Sequence, residues 1–199
     1  MNKTDQLKSI RDTVWKLTNS PLYTYRKQNN YYPVLGEGNH NAAIMFIGEA
    51  PGKNEAETGR PFCGAAGHVL TELINVIGLT RDQVYITNIV KDRPPENRDP
   101  TGAEIELYAP FLDKQISVIK PKVIATLGRF SMAYLLNRYN AEEKDQTISR
   151  LHGSVISIKE AFNHVYLVPL YHPAVALYNA NQMTTLKKDF EVLKQFVNE

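Results

Sequence analysis

The chain has 199 residues, 43% of them hydrophobic, enough for one domain (1–199) with a full-sized core. A formal net charge of only +2 is weak evidence for a nucleic-acid partner, and one cysteine, Cys63, excludes an internal disulfide or a cysteine-only metal cluster. No apolar run is long enough to cross a membrane, and MNKTDQLKSIRDTV lacks the apolar stretch of a signal peptide, so a cytoplasmic protein with no membrane partner is expected.

Residues 4–18 read as an amphipathic helix with Leu7, Ile10, Val14 and Leu17 on one face. Residues 1–30 hold six basic side chains (Lys3, Lys8, Arg11, Lys16, Arg26 and Lys27) against Asp5 and Asp12, a pattern read as a solvated face. Trp15 is read as a packing residue of that helix. The stretch NSPLYTYRKQNNYYPVLGEGN has no helical period and is dense in Pro, Gly and Asn, which predicts an ordered loop. AAIMFIG (42–48) is a continuous apolar run, as in a strand buried on both faces. GHVLTELINVIGL (67–79) has helical spacing and ends at Gly78.

VYITNIV (84–90) predicts a second buried strand, and KDRPPENRDPTGAE a long loop. Thr101 followed by Glu104 has the spacing of a capping box for a helix reaching about Ile119. A third strand is predicted at PKVIATLG (121–128) and a helix from Phe130 to Leu136. After the polar RYNAEEKDQTISR, GSVISI and HVYLVPL read as strands, and Gln182–Val197 as an amphipathic helix. Alternating strands and helices imply an α/β fold with a parallel sheet covered on both faces. Ligands of such sheets bind beyond the carboxyl ends of the strands. The informative residues are therefore Gly48–Phe62, Asn88, Gly128 and Tyr171–His172.

The loop MFIGEAPGKNEAETGRPFCG has neither the spacing of a P-loop nor a dinucleotide fingerprint, and its glutamates would repel a phosphate. It suits a neutral, flat ligand better. Backbone N–H groups can meet a carbonyl, Phe62 can stack on a ring, and a carboxylate can position water. Asn88 offers a donor and an acceptor to a base edge. His172 can donate to an oxygen that gains negative charge. Together these residues describe a pocket for a flipped nucleobase.

These motifs resemble the uracil-DNA glycosylase superfamily in its family 4 form. GEAPGKNEAETGRPFCGAAG looks like that family's first motif, G-E-x-P-G-x-x-E-x-x-x-G-x-P-F-x-G-x-x-G. TNIVKDRPPENRDPT, KPKVIATLG, GEGN and HPA (172–174) match its other motifs in order, so the resemblance covers nearly the whole chain. It implies a three-layer α/β/α fold around a central, mainly parallel four-stranded sheet. It implies a monomeric, monofunctional DNA glycosylase that flips uracil out of DNA and hydrolyses the N-glycosidic bond, initiating base excision repair.

By that resemblance Phe62 stacks on uracil, Asn88 reads its O4/N3 edge, and His172 meets O2. The backbone around Ala50 contributes to the pocket, and Glu55 excludes the thymine methyl. Glu49 positions water and stabilises the positive sugar; the aspartate that other members carry one place later is here Ala50. By the same resemblance Val175, Ala176 and Leu177 lie on the loop that enters the duplex, an alternative being that Leu177 starts the last helix or packs on the sheet.

One departure is large. Family 4 members bind a four-iron cluster through four cysteines, and the matching positions here hold Leu17, Ser20, Asp92 and Tyr108. Thiolates are the standard ligands of such clusters, so no cofactor is expected. In its place an apolar Leu17–Tyr108 contact is expected, with Ser20 or a neighbouring donor bonded to Asp92. Two other readings stay open: a uracil- or DNA-binding module of this fold with weak or no catalysis, and a nucleotide-binding α/β protein outside DNA repair.

Overall fold

A computed structural model describes residues 1–159, 164–179 and 181–197. The chain begins with helices α1 (Lys3–Trp15) and α2 (Tyr23–Gln28), then a short strand β1 (Glu37–Gly38) and the buried strand β2 (Ile44–Gly48). Helices α3 (Lys53–Thr58) and α4 (Ala65–Val76) lead to β3 (Tyr85–Asn88). Helix α5 (Gly102–Ile119), strand β4 (Val123–Leu127) and helices α6 (Arg129–Arg138) and α7 (Ile148–Leu151) follow. Strands β5 (Ile156–Lys159) and β6 (His164–Leu170) precede α8 (Val175–Tyr178) and α9 (Asn181–Glu191), which continues as a 3-10 turn over Val192–Phe196.

The sheet order is β1-β3-β2-β4-β6-β5. Its four central strands are parallel, as expected; β1 and β5 add an antiparallel edge on each side, making six. The sheet separates two apolar clusters. Met45 and Ile47 face the layer of α1, α5 and α6, whereas Ile44 and Phe46 face α4 and α9. Alternate residues of one strand thus serve opposite cores, because successive strand side chains point to opposite faces. The expected three layers follow from that alternation.

The expected capping box is present. Thr101 Oγ1 accepts from Glu104 N at 3.2 Å, and Glu104 Oε2 accepts from Thr101 N at 2.8 Å. Two expectations at the amino end need correction. The stretch read as a loop contains α2 and β1. Trp15 is not packed into the core; it is 51% exposed.

The site is set by topology. β2 is followed in space by β3 on one side and β4 on the other, so strand order reverses there. That switch point opens a crevice at the carboxyl ends. Parallel register places Gly48 beside Asn88, and Leu127 beside Leu170.

Candidate active site

Residues from three strand ends converge on one cavity of about 390 Å³. Ala50 and Gly52 come from the turn after β2, Glu55 from α3, Asn88 from the end of β3, and His172 and Ala174 from the segment after β6. Phe62 forms part of its wall. Five residues expected at the site, Ala50, Glu55, Phe62, Asn88 and His172, are therefore brought together. Glu49 adjoins the cavity without being among the residues that line it.

Asn88 is 2% exposed, and its Oδ1 has no hydrogen-bond partner. A buried acceptor left unpaired costs about 1–3 kcal/mol, so it marks a place where a ligand donor belongs. Gly48 makes this arrangement possible. A Cβ there would stand 2.3 Å from Asn88 Oδ1 and 2.7 Å from Phe62 Cζ.

Phe62 sits in a left-handed backbone conformation, φ 48°, which is unusual for an aromatic residue. Two side chains hold it there. Arg81 donates to the carbonyls of Pro61 (2.8 Å) and Phe62 (3.1 Å) and pairs with Glu37 at 2.8 Å. Glu55 Oε1 accepts from the N–H groups of Cys63 and Gly64, both at 2.9 Å. Gly67 completes the fit, since a Cβ there would fall 1.8 Å from the Phe62 carbonyl oxygen. The Phe62 ring lies 5.7 Å from the His172 ring, centroid to centroid.

His172 Nδ1 accepts from the Ala174 N–H at 3.2 Å. That bond places the proton of the neutral ring on Nε2. Burial pushes the imidazole pKa down, partly countered by Glu55, so the ring is a neutral donor near pH 7. Glu49 is pushed the other way, to about 7, by burial and by Asp99, with Arg129 opposing.

The family model for the uracil DNA glycosylase superfamily matches residues 35–198. The chain belongs to that superfamily. It is 44% identical to a type-4 uracil-DNA glycosylase of Sulfurisphaera tokodaii over 192 residues, covering 96% of this chain and 84% of that protein. Identity to a type-4 uracil-DNA glycosylase of Saccharolobus solfataricus is 45%, covering 96% and 86%. Against one from Archaeoglobus fulgidus it is 43%, covering 84% and 82%.

Within the superfamily frame, the segment after His172 differs from the expected loop. Val175, Ala176 and Leu177 lie in α8, not on an irregular loop. Val175 and Ala176 pack against the α4–α9 core, while Leu177 is 49% exposed. Tyr178, which the sequence reading passed over, is 90% exposed beside it.

Three of the four positions where family 4 carries cluster cysteines meet in one hydrogen-bonded chain. The Tyr108 hydroxyl donates to Asp92 Oδ2 at 2.5 Å. Its only proton being used there, Tyr108 accepts from Ser20 Oγ at 2.8 Å. Arg26 Nη1 pairs with Asp92 at 3.0 Å and also donates to Val14 O, while Nη2 donates to Trp15 O. The expected tie to Asp92 exists, supplied by Arg26 and Tyr108; Ser20 reaches it only through Tyr108. Leu17 packs at the edge of the same core. Arg26, assigned from sequence to a solvated face, is 5% exposed. These side chains do not fit an iron–sulfur cluster: their polar atoms satisfy one another and include no thiol. Among the described residues no group of three or more His, Cys, Asp or Glu is placed to hold a metal ion.

Lys91, also passed over in the sequence reading, is fully buried behind Asn88. Its Nζ donates to Asn88 O (2.6 Å), Gln115 Oε1 (2.6 Å) and Thr87 Oγ1 (2.9 Å). Burial drives its pKa well below the usual lysine value. Lys91 lies within the motif TNIVKDRPPENRDPT, but lysine is so seldom buried that its burial could not be read there.

Proposed function

We propose that this chain is a monofunctional uracil-DNA glycosylase that acts as a single domain and a monomer, without an iron–sulfur cluster. The observation that carries the reading is the orphaned Asn88 Oδ1, buried in the same cavity as the Phe62 ring and a neutral His172. Uracil supplies what that acceptor lacks, an N3–H, and its O4 accepts from the amide Nδ2. Cytosine presents the reverse pattern and leaves two buried polar groups unpaired.

The reaction needs no protein nucleophile. The N1–C1′ bond breaks, its electron pair leaves with uracil, and charge develops on O2. His172 Nε2–H donates to that oxygen. The sugar becomes cationic, and the Glu49 carboxylate faces that charge and orients a water. Water adds to C1′ and loses a proton, giving an abasic site and free uracil. Glu55 is held rigidly by two backbone N–H groups; its place on the cavity wall supports exclusion of the thymine methyl. Leu177, with Tyr178, fills the space left by the flipped base.

The test is incubation with single- and double-stranded uracil oligonucleotides, followed by alkali cleavage of abasic sites. Strand breaks with uracil, none with thymine, and loss of breaks in His172→Ala are expected. Binding without breaks would make the chain a binding module, and an absorption band near 400 nm in the pure protein would overturn the cluster-free reading.

A further inference from the structure

A second recess lies away from the base pocket, between α1, α2 and the segment Tyr31–Pro33, with a volume of about 360 Å³. Trp15, Tyr23, Tyr31 and Tyr32 contribute aromatic wall, and Lys16 and Lys27 stand on its margin. Trp15 and Tyr32 are 51% and 46% exposed, although their rings approach to 5.8 Å. Large aromatic rings left half in water beside one another form a stacking platform.

The charge of this recess is one-sided. No aspartate or glutamate lines it. Arg26 also lines it, but its charge is matched by Asp92. Lys16 and Lys27 are exposed, and neither makes a salt bridge with a carboxylate among the described residues. Two free ammonium groups beside aromatic faces match the two parts of a nucleotide, phosphate and base.

The recess is wired to the base pocket. Arg93 Nη1 donates to the Tyr31 hydroxyl at 2.8 Å, and its Nε donates to Asn97 Oδ1 at 2.8 Å. Tyr31 lines the recess and Asn97 lines the base pocket. One arginine side chain therefore separates the two. Tyr32 is anchored on the same layer, its N–H donating to the Ala56 carbonyl of α3 at 2.7 Å.

We propose that this recess is a second nucleic-acid subsite, which holds single-stranded DNA flanking the flipped nucleotide. A base stacks on the Trp15–Tyr32 face, and Lys16 and Lys27 meet the adjacent phosphates. The role in catalysis rests on the glycosylase reading above; the binding itself is measured without it.

Trp15 is the only tryptophan in the chain, so its emission reports this recess alone. The full chain is titrated with a uracil-free oligothymidylate, with inorganic polyphosphate as a base-free control. Saturable quenching by the oligonucleotide is expected, and little by polyphosphate. Tyr32→Ala weakens binding about 5- to 150-fold, the size of one lost base stack. Lys16→Glu with Lys27→Glu lowers the salt dependence of binding by about 1.4 in log–log slope, the value for two released counterions on a single strand. On a long uracil oligonucleotide these variants raise KM and leave kcat unchanged; on a trinucleotide they match the wild type. Absent quenching, quenching unchanged in both variants, or equal quenching by polyphosphate would overturn the proposal. An enzyme that quenches normally but releases no uracil would instead count against the glycosylase reading.

Discussion

The base pocket and the junction under the amino-terminal helices are both polar and both largely buried, yet they are built on opposite rules. At the junction the polar groups pair with one another: Ser20, Tyr108, Asp92 and Arg26 form one chain, and Arg26 also donates to the carbonyls at the end of α1. In the pocket Asn88 has an unpaired acceptor and Phe62 a strained backbone. Satisfied polar networks hold a fold in one arrangement. Unsatisfied groups and stored strain mark where a ligand completes the structure. The difference says which changes will cost activity and which will cost folding.

The sharpest break between the two regions comes from removing one residue of each. If His172 donates to the developing charge as proposed, His172→Ala lowers kcat about 10²- to 10³-fold. Its melting temperature stays close to wild type, because among the described residues the ring's one hydrogen bond is accepted from the Ala174 N–H. Asp92→Ala does the reverse. It strands Arg26 as an uncompensated buried charge, which costs roughly 3–5 kcal/mol. Urea denaturation should show the lower midpoint, while uracil release per folded molecule at 25 °C remains near wild type. Equal loss of activity in both variants would erase the distinction.

Glu49 sharpens the comparison, because one group should favour function at the expense of stability. Acting as a carboxylate, it makes kcat/KM climb with pH and level off above about 7. Its folded pKa lies above the ordinary glutamate value, so the neutral form is the one the fold prefers. Stability from this group is complete at acid pH, below the unfolded value, and is lost as pH rises through about 7. Glu49→Gln should therefore be slow and lose the pH dependence, yet melt higher than wild type at pH 8 and no higher at pH 4. A pH profile that persists in Glu49→Gln would assign the titration to another group.

Much of this contrast is legible in the sequence, and the parts that are not share a cause. The parallel strands were legible because AAIMFIG and VYITNIV are nearly continuous apolar runs, as burial on both faces produces, whereas HVYLVPL is buried on both faces only from Leu167 onward. Asn88 and His172 were legible because topology sends ligands to strand ends. Helix α2 was hidden: six residues between Pro21 and Asn29 carry no apolar period. Strand β1 spans two residues, too few for any alternation. Arg26 and Lys91 were hidden for a deeper reason. Local pattern places a basic side chain in water, and what buries these two is a partner far along the chain, Asp92 for Arg26 and Gln115 for Lys91. Trp15 fails in the opposite direction, since a bulky apolar residue on a helix reads as core. The motif located the pocket, but the side chains that hold the motif in shape left no local signal.

Arg81 is the smallest and most selective way to probe that support. It does not line the cavity; it acts through the backbone that presents Phe62. Its guanidinium spans the Pro61 and Phe62 carbonyls and Glu37 at once, which a planar fork can do and a point charge cannot. Arg81→Lys keeps a cation near Glu37 but leaves a carbonyl without its donor. The left-handed turn at Phe62 then relaxes toward a commoner conformation, and the ring meets the base less squarely. Misplaced stacking weakens substrate and transition state alike, so the expected result is a rise of about three- to tenfold in KM with kcat nearly unchanged. A merely structural role would lower the midpoint of unfolding and leave KM alone. A fall in kcat at constant KM would mean that the Phe62 turn is needed in the transition state itself, and the pocket's strain would then belong to catalysis, not to binding.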